Sequence, residues 1–108
     1  MSNALEVNES NFSEEVLRSE TPVLVDFWAT WCAPCRQMGP IIDQLAAEYG
    51  NDLKIVKCDV DQNPALQMKY QISSIPAFHL FKGGESIAEF IGGRPKNQLR
   101  DEISTALA

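Results

Sequence analysis

Cys32 and Cys35 stand three residues apart in WATWCAPC, residues 28–35, and the third cysteine, Cys58, lies well downstream. Side chains at i and i+3 of a helical turn are about 5–6 Å apart, the Cα separation that a disulfide accepts. Such a pair can bond and part with little backbone movement. Pro34 fixes φ near a helical value and needs no N–H partner in a first turn, which places Cys32 in the N-cap region and Cys35 just inside. Helix N–H groups and the positive end of the dipole would stabilise a Cys32 thiolate and make it the nucleophile. Cys35, shielded one turn inward, would resolve the intermediate. The competing use of CxxC, half of a zinc site, needs four ligands, and only Cys58 and His79 remain without a second close pair. No metal is expected.

Asp26 is the other chemical anomaly, a carboxylate inside the apolar run PVLVDFWAT at 22–30. Burial without a partner costs several kcal/mol unless the group protonates or pairs, so its pKa should rise. From the strand entering the CxxC turn, such a group can trade protons with Cys35 through water as the disulfide forms and breaks. The plainer alternative is a structural Asp bonded to backbone or to a lysine. Lys57, on the neighbouring predicted strand, is the candidate partner, although an edge lysine facing solvent is an equal reading.

These groups must be positioned by a chain of 108 residues, 44% hydrophobic, long enough to bury about two-thirds of its unfolded surface without disulfide staples. No repeat, low-complexity tract or linker divides it, so residues 1–108 read as a single domain. A formal charge of −6 argues against nucleic acid as a partner. The N-terminal MSNALEVNESNF has no basic or apolar leader region, and nowhere do 18 apolar residues run together, so a cytoplasmic protein with no membrane association is expected.

Residues 22–30 are apolar on both alternating faces, as in a buried parallel strand. Met38, Ile41, Ile42, Leu45 and Ala46 then recur at helical spacing up to Tyr49-Gly50, predicting a helix of about four turns. Pro40 should kink it. LKIVKCDVD at 53–61 is strand-like, and Asn63-Pro64 starts a short helix over 63–70. Two alternating runs within 78–93 meet at Gly83-Gly84, the signature of a two-residue hairpin. Leu99, Ile103 and Leu107, behind Pro95, give a terminal helix one apolar face. At the start, LEV at 5–7 suits a short strand, and Phe12, Val16 and Leu17 a short amphipathic helix. The order is βαβαβαββα, an α/β fold.

Phe12, VDFWATWCAPC at 25–35, Pro40, VDQNP at 60–64, Tyr70, Ile75-Pro76, FKGGE at 81–85 and Gly92 occur in sequence along nearly the whole chain. Together they resemble the thioredoxin family, and the joined motifs are far more specific than a lone CxxC. The resemblance implies the thioredoxin fold, a central mixed five-stranded sheet flanked by four helices. It implies a cis bond at Ile75-Pro76 facing the disulfide. Substrate would pair with the backbone before Pro76 like an added strand, over an apolar surface of Trp31, Val60, Ile75, Gly92 and Gly93. Trp28 is assigned to packing below.

Ala33 departs from the family's commonest Gly-Pro dipeptide, yet the helix-propensity difference bounds the redox shift near about 20 mV. Ala33 and Pro34 therefore tune the couple without inverting it. Ala77, Gln71 and Ser73-Ser74 also depart from the usual residues, and His79 stands where the family is mostly apolar. His79 is expected to be partly buried and hydrogen-bonded, and Cys58 a small core residue.

The resulting expectation is a protein-disulfide reductase, a monomer without bound cofactor. Disulfide-containing proteins would be its substrates. The resemblance implies electrons from a thioredoxin reductase using FAD and NADPH, or from a ferredoxin-linked equivalent. The same cysteines could also serve an oxidase or isomerase in an oxidising compartment, or lie idle in a binding subunit that docks partners around Trp31 and Ile75.

Overall fold

The computed structural model describes residues 2–108. Its centre is β2 (Val23–Trp28), in which all six residues are buried. β3 (Lys54–Asp59) lies parallel on one side, and β4 (Ala77–Lys82) antiparallel on the other. A two-residue β1 (Leu5–Glu6) adds parallel to β3, and β5 (Glu85–Ile91) antiparallel to β4. The resulting mixed five-stranded sheet has the order β1-β3-β2-β4-β5. Burial of β2 on both faces explains its unbroken apolar run.

The hairpin between β4 and β5 turns at Gly83 and Gly84, with φ of 62° and 84°, and Lys82 opposite Glu85. Two successive positive φ values suit the right-handed twist of the flanking strands. A Cβ on Gly84 would also lie 3.0 Å from the Leu17 carbonyl oxygen, so space as well as φ selects glycine there. One strand step later Leu80 faces Ala88 while Phe81 faces Ser86, leaving Ile87 as the extra residue of a bulge.

Alternate β2 residues feed two cores. Val23, Val25 and Phe27 pack with Phe12, Val16 and Tyr70 on one side, and Leu24 packs with Ile42, Leu45, Leu99 and Ile103 on the other. The second core is covered by α2 (Gly39–Tyr49) and α4 (Lys96–Leu107), whose inward positions Ile42, Leu45, Leu99 and Ile103 are fully buried. Each such side chain contributes about 1.5–3 kcal/mol through removal from water.

Two helices depart from expectation. The kink expected at Pro40 is a full break: the segment foreseen as one four-turn helix is divided at Met38 into α1 (Ala33–Gln37) and α2. Pro40 has no N–H to offer the Arg36 carbonyl, and the Met38 N–H is shared between the Pro34 and Cys35 carbonyls at 3.2 Å each. The α-type ladder resumes with Ile42 N–H on Met38 O at 2.9 Å. The N-terminal amphipathic turn, Ser13–Leu17, is π-helical, closed by Arg18 N–H on Ser13 O at 2.9 Å, and still buries Val16.

α3 (Pro64–Lys69) ends in a paired-bond cap: Ile72 N–H reaches Gln67 O at 2.9 Å and Gln71 N–H reaches Met68 O at 3.1 Å. That closure needs a left-handed residue, usually glycine, and here it is Gln71 at φ 55°.

Candidate active site

The strand β2 delivers the chain at its C-terminal end to Cys32, whose backbone is still extended at φ −90°, ψ 106°. This is the N-cap of α1, and Cys32 Sγ accepts the Cys35 N–H at 3.2 Å. Arg36 N–H on Cys32 O at 3.1 Å begins the helical ladder, and Arg36 Nη1 donates to Thr30 O at 2.7 Å, closing the entry loop. Cys32 and Cys35 form a disulfide with their Cα atoms 5.2 Å apart. Their burial differs as their positions require: Cys35 is inaccessible, while Cys32 retains 5% exposure.

Around this sulfur the loops converge. The Ile75-Pro76 bond is cis, and the Ile75 carbonyl oxygen lies 3.9 Å from Cys32 Sγ. Gly92 N–H donates to Pro76 O at 2.8 Å, which fixes the end of β5 beside that bond. A Cβ on Gly93 would stand 4.0 Å from both Pro34 Cβ and Met38 Sδ, so the Gly92-Gly93 backbone runs against α1. Trp31 is 67% exposed at the rim, its indole Nε1 donating to Asp61 Oδ2 at 2.7 Å. Asp61 is a partner that sequence reasoning did not single out, although VDQNP, which contains it, was among the resembling motifs. Ile75 is half-buried, and Ala33 and Pro34 are exposed.

Val60 does not join this rim with its side chain. It is only 2% exposed, packed in the core that includes Trp28, with its N–H donating to Trp28 O at 2.9 Å. The expectation of apolar surface at that position is corrected by its place directly after β3, where the chain is still pinned to β2.

Asp26 is 1% exposed, and its Oδ1 has no hydrogen-bond partner. Burial pushes its pKa up to about 7, with the Lys57 charge pulling the other way. Lys57 stands opposite Asp26 in the β2–β3 register but is not its ion-pair partner. Its Nζ donates to Ser2 O at 2.8 Å and lies 5.6 Å from the centre of the Trp28 ring. The expected pair is thus replaced by a through-space influence, because the ammonium finds a carbonyl and an aromatic face instead. Trp28 Nε1 is likewise buried without a partner.

Neither remaining candidate lies at the site. Cys58 is fully buried, and burial followed by the charge of Asp59 pushes its thiol up to about 12, so it stays protonated. His79, 4% exposed on β4, is held by Ser86 Oγ at 3.1 Å and by Glu89 at 3.2 Å from its Nε2. Among the described residues no group of three His, Cys, Asp or Glu side chains is arranged to hold a metal ion. No helix of the described residues is long and apolar enough to cross a membrane.

A dithiol–disulfide pair at the start of a helix, opposite a cis proline, with a buried carboxyl group on the strand that leads into it, defines a thiol–disulfide oxidoreductase. The thioredoxin family model matches residues 3–105. Thioredoxin 1 of Nostoc sp. is 44% identical over 107 residues, covering 99% of this chain and 100% of the relative. A chloroplastic M-type thioredoxin of Pisum sativum is 50% identical over 97 residues, 90% of this chain and 56% of the relative. A bifunctional thioredoxin reductase/thioredoxin of Mycobacterium leprae is 42% identical over 100 residues, 93% of this chain and 22% of the relative. The chain belongs to the thioredoxin family. It is a protein-disulfide reductase working through a redox-active cysteine pair, and the family works without a bound cofactor.

Proposed function

We propose that Cys32 is the attacking sulfur, Cys35 the resolving one, and Asp26 the group that exchanges a proton with Cys35. Cys32 thiolate attacks one sulfur of a substrate disulfide, forming a mixed disulfide and expelling the other sulfur as a thiolate that takes a proton. Asp26 carboxylate then accepts the Cys35 proton through water. Cys35 thiolate attacks Cys32 Sγ, expels the second substrate sulfur as a thiolate that takes a proton from solvent, and leaves the Cys32–Cys35 disulfide; Asp26 returns its proton to solvent. Two electrons have passed to the substrate. Lys57 acts on Asp26 only through its charge, keeping the carboxyl from rising further. Pro34 holds the start of α1, and Ala33 biases the couple by no more than about 20 mV.

Trp31, Ile75, Gly92 and Gly93 form the substrate surface, with the buried Pro76 and Val60 supporting it from below. Substrate backbone adds at Ile75 as an edge strand would, so recognition is led by main-chain atoms. The oxidised chain is recharged by an external thioredoxin reductase carrying FAD and fed by NADPH, or by a ferredoxin-linked reductase. The Mycobacterium leprae relative, named for both activities in one chain, supports the first source. We assign the protein to the cytoplasm as a monomer of one domain, with disulfide-containing proteins as substrates and no role for nucleic acid.

The observation that carries the proposal is the N-cap placement of Cys32, whose sulfur already accepts a helix N–H at 3.2 Å and would accept it more strongly as a thiolate. The test is equilibration in graded dithiol/disulfide buffers, with Cys32–Cys35 oxidation read by alkylation and Cys58 followed separately by mass spectrometry. A midpoint near about −270 mV, the value typical of thioredoxins, is expected. One above about −180 mV would transfer the chain to the oxidase or isomerase class.

A further inference from the structure

Two consecutive glycines would ordinarily be the softest backbone beside the disulfide, and Gly92 adopts φ 98°. The following residue counters that softness. Arg94 turns back along the chain: its Nε donates to Gly92 O at 3.2 Å, its Nη2 to Ile91 O, and its Nη1 to both carboxylate oxygens of Glu102, at 2.8 and 2.7 Å. The side chain is only 12% exposed. Glu102 is a firm anchor because its α4 neighbour Ile103 is fully buried in the core.

We infer that Arg94 is a positioning residue for protein-disulfide reduction, a strut that ties the Ile91-Gly92 backbone, and with it the glycine pair, to α4 and holds it in register with the cis-proline loop. An arginine next to a redox site invites another reading, a charged ligand for acidic substrates. Its hydrogen bonds oppose that reading, since each guanidinium nitrogen already donates within the chain and the charge is matched by Glu102. What Arg94 controls is the backbone on either side of the Gly92 N–H bond to Pro76 O at 2.8 Å. This rests on the reading above, that Ile75-Pro76 and Gly92-Gly93 receive the substrate segment. A small disulfide that needs only Cys32 gains nothing from such a platform. A folded protein substrate does, because its chain must align before sulfur meets sulfur.

The test compares insulin, reduced catalytically with dithiothreitol as electron source, with 5,5′-dithiobis(2-nitrobenzoate), mixed directly with the reduced protein. Arg94→Met is expected to raise KM for insulin about five- to tenfold, while kcat and the small-disulfide rate constant change less than about twofold. Arg94→Lys keeps the charge and fewer of the bonds, and should fall between. Exchange of the Gly92 amide, which is bonded to Pro76 O, should quicken in both variants. Should Arg94→Met not fold, Glu102→Gln loosens only the far end of the strut and is expected to raise the insulin KM about two- to threefold.

Equal slowing of both disulfides, or of neither, would overturn the inference. So would a raised KM with unchanged Gly92 exchange, because Arg94 would then be touching the substrate itself. Ile75→Ala separates the two readings. If it raises the insulin KM and the Arg94 and Glu102 variants do not, the platform stands and the strut falls. If none of them does, the platform falls as well.

Discussion

Asp26 and His79 are both buried titratable groups in this sheet, on adjacent strands β2 and β4, yet they are treated in opposite ways. His79 has Ser86 Oγ at 3.1 Å on one ring nitrogen and Glu89 at 3.2 Å on the other. Aromatic rings of Phe27, Tyr70 and Phe81 lie 5.3–6.4 Å from its ring centre. Asp26 has an orphan oxygen and a lysine whose ammonium is engaged elsewhere. A fold that can satisfy one buried polar group completely and leaves another bare one strand away has not simply failed to find a partner. The bare group is the one on the strand entering the disulfide turn. The proton transfer proposed for Asp26 requires a group free to gain and lose its proton, and permanent partners would hold it in one state.

The largest effect that could break this contrast lies at Asp26. Its folded pKa, about 7, exceeds the ordinary 3.8, so between those values the folded state holds a proton that the unfolded chain releases. Stability therefore falls as pH rises from about 4 to about 7 and is flat beyond, a total loss of about 4 kcal/mol. Asp26→Asn mimics the neutral acid. Urea unfolding of the oxidised protein should show the variant equal to the parent at pH 4 and more stable by up to about 4 kcal/mol at pH 8.5. The gain should be accompanied by slower release of substrate from the mixed disulfide. Equal stability at both pH values would mean that Asp26 is satisfied by something the contrast overlooks.

Lys57→Met sharpens the same side. Removing the one charge that lowers the Asp26 pKa should carry its titration above about 7, visible in the carboxyl ¹³C shift, and extend the falling limb of stability to higher pH. Loss of the Nζ bond to Ser2 O should cost about 1 kcal/mol besides. Had Lys57 been a contact ion pair, its removal would instead strand a buried charge, at about 3–5 kcal/mol.

On the other side, burial lowers the His79 pKa, with Glu89 opposing. Below the unfolded value of 6.5 the unfolded chain takes up a proton more readily than the folded one, so His79 makes stability fall as pH drops, the reverse of Asp26. His79→Leu should abolish that acid limb and change stability at pH 8 by about 1 kcal/mol or less, because Ser86 and Glu89 are exposed and turn to water. Reduction of insulin should be untouched. A redox defect in this variant would erase the distinction between the two groups.

What the sequence discloses follows the range of the interaction. The strand β2, the Gly83-Gly84 hairpin and the apolar faces of α2 and α4 were legible because each is written in neighbouring residues with a period of two or about four. The cysteine pair was legible for the same reason, as three residues of spacing and a proline specify the turn. The hydrogen bond of Lys57 was not legible because its acceptor, the Ser2 carbonyl, is 55 positions away and is a main-chain atom, which no side-chain pattern reveals. Asp61 beneath Trp31 and Glu102 beyond Arg94 are of the same kind, polar contacts made across loops. Val60 fell between the two: its apolar type was read correctly, but whether it faces the rim or the core depends on where β3 releases the chain.

The smallest effect calibrates the contrast. Gln71 occupies the left-handed closing position of α3 at φ 55°, an unfavourable backbone state for a residue with a Cβ. Such a residue costs about 1–2 kcal/mol, and glycine returns about 0.5–1 kcal/mol of that through its freer unfolded chain. Gln71→Gly should therefore stabilise by about 0.5 kcal/mol, raising the melting temperature by about 2–3 °C, with no change in either disulfide assay. The comparison with Asp26 is the point of the measurement. Both residues are locally unfavourable, but the strain at the exposed helix end is small, whereas about 4 kcal/mol held at a buried carboxyl group is what the proposed proton transfer accounts for. If Gln71→Gly gained as much as Asp26→Asn, magnitude would no longer separate tolerated strain from working chemistry.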